Sequence, residues 1–187
     1  MSIKNVENKL KKLGVENYSI GDDGVVDVNG TVDISFKKLK EIPVQFGLVK
    51  GDFNCSNNKL ESLKGSPSSV GVSFFCHENR LTSLENGPQL VGKAYICSKN
   101  TLTTLKGAPK SVNGSFNCSE NKLTSLEGGP GFVNGNFDCT KNELKTLEGL
   151  PKYVSQVLYC TENRIPPDRI TKYKIMSSYI IINDEEK

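Results

Sequence analysis

The sequence predicts a repeat solenoid: short rungs stacked on one another, with a parallel β-sheet along one side and a cap at each end. Three observations lead there. The six cysteines, Cys55, Cys76, Cys97, Cys118, Cys139 and Cys160, are each 21 residues apart. Three residues past each stands an asparagine, from Asn58 to Asn163, and six residues before each a valine, from Val49 to Val154. Two places before each cysteine comes a large apolar residue: Phe53, Phe74, Tyr95, Phe116, Phe137 and Leu158. A fixed period in this range means that each unit buries its apolar face only by stacking on its neighbours.

The elements follow in chain order. Ile3, Val6, Leu10 and Leu13 fall at helical spacing with Gly14 as a stop, so the chain opens on an amphipathic helix. "YSIGDDGVVDV" then reads as a hairpin around an acidic, glycine-flanked turn. Residues 1–27 form the N-terminal cap on this reading. Residues 28–165 form seven rungs, the first degenerate, with Ile34 in the cysteine place and Lys37 in the asparagine place.

Within a rung, valine, glycine, aromatic and cysteine alternate, so all four are expected on the core face of one short strand. The asparagine amide is placed to satisfy backbone groups where the chain turns, in a ladder from rung to rung. Ten places after the cysteine come Gly65, Asn86, Gly107, Gly128 and Gly149, residue types at ease in the left-handed region. The return side has little room for a helix and is expected to be extended or 3₁₀. Residues 166–187 read as a C-terminal cap, in which "DRITKYKIMSSYIII" is a helix candidate whose β-branched tail also suits a strand.

The rung resembles the leucine-rich-repeat family. "FNCSENKLTSLEG", residues 116–128, matches its L-x-L-x-x-N-x-L core, with Phe116 and Cys118 in the leucine places, then Asn121 and Leu123. The resemblance implies an α/β-type horseshoe. Units reading "GSFNCSENKLTSLEGGP" are similar to short repeats encoded by large tailed bacteriophages. That likeness implies an accessory protein of the infected bacterial cytosol that binds and modulates a host protein, a defence factor among the candidates.

Composition excludes several other functions. At 187 residues, 36% hydrophobic, 24% charged and net +3, the chain is an ordinary soluble domain, with no strong case for nucleic acid or an anionic membrane. No apolar run spans a bilayer, and no secretory signal opens the chain, so a cytoplasmic protein is expected. The cysteines repeat one place in the rung. A column of parallel thiols neither converges on a metal nor favours disulfides, and reads as reduced core filler. With a single histidine and no nucleophile–base spacing, the reading is a non-enzyme without cofactor.

The candidate site lies on the outer sheet face. One place before the cysteine the rungs carry Asn54, Phe75, Ile96, Asn117, Asp138 and Tyr159. One place after come serines and threonines, except for His77. Three places before, Ala94 and Val157 interrupt small polar groups. Phe75, His77, Ala94 and Ile96 therefore cluster on adjacent rungs, and Asn117, Asp138, Val157 and Tyr159 extend the face as a partner-binding surface. An aromatic and an isoleucine buried against a partner each contribute about 1.5–3 kcal/mol. Drift of single positions explains isolated exposed apolars, but less readily a cluster. A structural or virion-assembly role is the rival reading, and nucleic-acid binding along a lysine–arginine edge a weaker one.

Overall fold

The computed structural model describes residues 2–166 and the strand 176–181. It is a parallel β-solenoid. Helix α1 (Ile3–Leu13) ends at Gly14, whose left-handed backbone (φ 75°) returns its N–H to Leu10 and Lys11 carbonyls. Val6, Leu10 and Leu13 seat the helix on the core. Strands β1 (Tyr18–Ile20) and β2 (Val26–Val28) form an antiparallel hairpin. β2 also pairs in parallel with β4 (Phe46–Val49), so the hairpin grows into the first rung.

Each rung contributes two short strands rather than one. A first ladder stacks β4, β6 (Ser69–Val70) and β8 (Leu90–Val91), and resumes with β10 (Ser111–Val112) and β12 (Phe132–Val133). A second stacks β3 (Val32–Asp33), β5 (Phe53–Asn54), β7 (Phe74–Phe75), β9 (Tyr95–Ile96), β11 (Phe116–Asn117) and β13 (Phe137–Asp138). The glycine between the valine and the aromatic is the corner dividing them. In the last rung Ser155-Gln156 stand there instead, and β14 (Tyr153–Tyr159) runs unbroken through both ladders. The glycine place is thus not on the core face as expected: Val72 is half-buried there and Lys93 exposed. At this corner adjacent rungs nearly touch, and a Cβ on Gly92 would fall on the Gly71 carbonyl oxygen.

The first ladder has one gap. Gly92 N–H reaches Val70 O at 3.0 Å and Asn134 N–H reaches Val112 O at 2.9 Å, but no counterpart joins Asn113 to Val91 among the described residues. The corner changes here from Gly92-Lys93 to Asn113-Gly114. The second ladder continues past the gap, with Phe116 paired to Tyr95.

The core is a set of columns. Valines, cysteines and both leucines of each full rung are buried, and all six thiols are free. Burial pushes the thiols of Cys55, Cys76, Cys97 and Cys118 well above their ordinary titration range, which makes them inert filler. The aromatics stack along the axis, with centroids 5.8 Å apart for Phe53–Phe74 and 5.6 Å for Phe116–Phe137. Tyr95 breaks the chemistry of this column: its hydroxyl is buried with no hydrogen-bond partner among the described residues. Tyr95→Phe removes that orphan at nearly constant volume and is expected to raise stability by about 1 kcal/mol, read as a higher urea midpoint at unchanged slope.

The asparagines hold the turns. Asn100 Nδ2 donates to the carbonyls of Cys76 (3.0 Å), Cys97 (3.1 Å) and Ser98 (3.2 Å), while its Oδ1 accepts from Leu81 N–H at 3.0 Å. Asn79, Asn121 and Asn142 repeat the pattern. Gly65, Asn86, Gly107, Gly128 and Gly149 all have positive φ. The return segments are turns without helix among the described residues, so this is a β-solenoid and not an alternation of strand and helix. At the far end β15 (Met176–Ile181) pairs in parallel with β14, so the candidate helix is a strand over 176–181; the rest of that segment lies outside the described residues.

Candidate functional site

The second ladder puts the expected face in register. Asn54 pairs with Phe75, Phe75 with Ile96, Ile96 with Asn117, Asn117 with Asp138 and Asp138 with Tyr159. Each of these strand residues is half-buried, as a side chain lying on its neighbours in a row must be.

The ordinary rung is chemically closed on this face. Asn117 Oδ1 accepts from the Ser119 N–H at 2.9 Å and from its hydroxyl at 2.7 Å. Asp138 does the same with Thr140 at 3.0 and 2.8 Å, Asn54 with Ser56 at 3.1 and 2.7 Å, and Asp33 with Ser35 at 2.9 and 2.6 Å. The residues before and after the cysteine are therefore one device: a short acceptor and a hydroxyl that satisfy the strand end internally. Asn117 and Asp138 also meet across rungs at 3.2 Å.

In the Cys76 rung both halves of the device are replaced together. Phe75 and His77 face each other edge to face, with ring centroids 6.3 Å apart. His77 Nδ1 is shielded and has no hydrogen-bond partner among the described residues. Burial lowers the pKa of this imidazole; the Glu78 carboxylate opposes the shift and the Lys99 ammonium adds to it. At neutral pH the ring is therefore uncharged. Ile96 and Tyr159 lose the acceptor but keep Ser98 and Thr161 beside them.

The residues three places before the cysteine are not a free polar face. Asp52 Oδ1 accepts from Ser73 N–H at 2.8 Å, Ser73 Oγ from Ala94 N–H at 3.3 Å, and Ser115 Oγ from Asn136 N–H at 3.1 Å. Asn136 closes onto Val157 N–H at 3.1 Å. Ala94 has no acceptor to offer, and this cross-rung row stops at the same junction as the first ladder. Val157 stands at the other end of the face, beside Tyr159.

Two features of the surface lie outside the sequence reading. On the first ladder Leu48, Leu90 and Phe132 point outward on alternate rungs, Leu90 with 68% and Phe132 with 55% of its surface exposed. Seven places before the cysteine was not a position that the simple strand alternation singled out. Second, the residue two places past the cysteine is left-handed in every rung: Glu78, Lys99, Glu120 and Lys141 all have φ near 54°. These charged residues pair across rungs, as Glu78 with Lys99 at 3.3 Å, in exposed contacts that contribute little.

No group of three or more histidines, cysteines or acidic residues converges as a metal site among the described residues, and no helix of the described residues is long and apolar enough to cross a membrane. Comparison with protein-family models, curated proteins and solved structures finds no match.

Proposed function

We infer that this chain is a non-enzymatic recognition module that binds a protein partner on the outer face of its second ladder, centred on Phe75, His77 and Ile96. The observation that carries this reading is the paired replacement at Phe75 and His77. A rung that closes its own strand end with an asparagine and a serine has exchanged both for rings. Drift at one position would leave the other half behind. Aromatic anchors beside small polar groups are what interface centres use, and an uncharged imidazole is cheap to desolvate there.

The finer assignment rests on the repeat pattern: a leucine-rich-repeat horseshoe of phage type, acting in the bacterial cytosol on a host factor, with defence proteins among the candidates. Assembly into a larger structure is a second reading, favoured by β15, whose far edge has no strand partner among the described residues. That reading expects concentration-dependent self-association in sedimentation.

The test is affinity capture from host lysate by the wild type beside a Phe75→Asp, Ile96→Asp double variant. Both side chains are outward, so the variant is expected to keep the wild-type circular dichroism and melting point. One host protein should be retained by the wild type and lost, by at least tenfold, from the folded variant. Equal capture by both removes the sheet face from the interface.

A further inference from the structure

We propose a second docking surface at the N-terminal end of the coil, built from Phe36 and a row of cations, whose ligand is a single-stranded nucleic acid. Phe36 stands two places past Ile34, where the full rungs carry Asn57, Glu78, Lys99, Glu120, Lys141 and Glu162. It is 74% exposed and left-handed (φ 54°), a conformation in which a bulky residue is an outlier. The turn is held firmly: Asn58 Oδ1 accepts from Lys37 N–H at 3.0 Å and Leu39 N–H at 2.9 Å, and Phe36 N–H donates to Ser56 O at 3.3 Å. The ring is thus presented to solvent on a fixed backbone.

Cations gather beside it by the register of the rungs. Lys59 N–H donates to Leu39 O at 2.8 Å and Arg80 N–H to Leu60 O at 2.9 Å. Lys59 therefore sits one rung above Lys38, and Arg80 one rung above Lys59, about 4.8 Å per step. Lys37 and Lys40 flank Lys38 on the same turn. All five are exposed, and the ion pairs Glu78–Lys99, Glu85–Lys106, Glu162–Lys141 and Glu143–Arg164 leave them out. Whole-chain charge could not show this, because residues 21 apart are brought together only by the coil.

A linear file of cations without an ion pair among the described residues, ending at an exposed ring, matches what a single strand needs: phosphates along the row and a base on the aromatic face. A flat lipid surface would use the ring but not a file running away from it. An acidic peptide would use the file but leave the ring unexplained. The site shares no residue with the Phe75–Ile96 face, although Arg80 lies on the Cys76 rung.

The experiment is fluorescence anisotropy of a labelled oligothymidylate with the full chain. Binding is expected at low salt, weakening roughly 20-fold between 50 and 200 mM, for three phosphate contacts at a slope of about −0.7 each. Phe36→Asn keeps a residue suited to the left-handed turn, as Asn57 is in the next rung. It should hold the melting point while weakening binding about 5- to 150-fold, the range for loss of one stacked base. A Lys38→Glu, Lys59→Glu variant should weaken binding and flatten the salt slope. Absence of binding at low salt overturns the proposal, as does binding that ignores both variants. Equal affinity for duplex DNA, or binding to phosphatidylserine vesicles with none to the oligonucleotide, also overturns it.

Discussion

Replacing Asn100 by alanine is expected to destabilise the protein by about 2–4 kcal/mol, as is the same change at the equivalent Asn79, Asn121 or Asn142. The amide serves two rungs at once. Its Nδ2 meets the carbonyls of Cys76 and Cys97, and its Oδ1 takes the buried Leu81 N–H. Truncation orphans the Leu81 N–H and leaves the Cys76 and Cys97 carbonyls to Asn79 and Asn121, each at 3.2 Å, in a place where Asn100 is 8% exposed and water enters poorly. For a chain of this length the melting point should fall on the order of 10 °C. Two variants separate the causes. Asn58→Ala should lose less than half as much, because Lys37 at the same turn is exposed and water replaces the lost acceptor. Asn100→Asp keeps Oδ1 but sets a second oxygen against two carbonyls, so it should be no better than alanine. A loss below 1 kcal/mol for Asn100→Ala, by urea unfolding, would mean that the ladder is not what holds the turns.

That ladder was readable from the 21-residue period alone, as were the buried columns of valine, aromatic and cysteine. Periodicity reports which side chains are equivalent, and stacking then forces equivalents together. The left-handed residues at Gly65, Gly107 and Asn86 were readable too, because glycine and asparagine announce that region. The equally left-handed Glu78, Lys99 and Glu120 were not, since nothing in glutamate or lysine signals positive φ. Cross-rung hydrogen bonds from their own N–H groups, such as Glu78 to Ser98 O at 3.1 Å, impose it instead.

The candidate face was half legible. Alternation along a strand located Phe75 and Ile96, but it treated every outward polar group as solvated. The structure joins Asn117 to Ser119 and Asp138 to Thr140 in closed pairs, and that changes the meaning of the exceptions. Alternation also runs straight through the corner glycine, where the strand bends, so it puts the glycine place, which Lys93 occupies in one rung, on the core face and does not single out the row of Leu48, Leu90 and Phe132. The tail "KIMSSYIII" held both a helical and a strand signal; pairing with an open β14 edge decided for the strand over Met176–Ile181.

Gly107→Ala is expected to cost about 3 kcal/mol, for two reasons that can be measured apart. The residue has φ 92°, where an L side chain pays about 1–2 kcal/mol. A Cβ built there would also lie 2.4 Å from Glu85 N and from the Leu84 carbonyl, backbone of the rung beneath that has no freedom to retreat. Overpacking of this kind adds about 1–3 kcal/mol. Gly14 isolates the first cost: it ends α1 at φ 75°, and a Cβ there meets nothing within 4 Å. Gly14→Ala should therefore lose only about 1 kcal/mol. The difference between the two alanine variants, read from denaturant midpoints at equal slope, is the cost of rungs too closely stacked to admit a methyl group. If the two lose the same amount, the close approach at Gly107 is relaxed in solution and only its backbone angle matters.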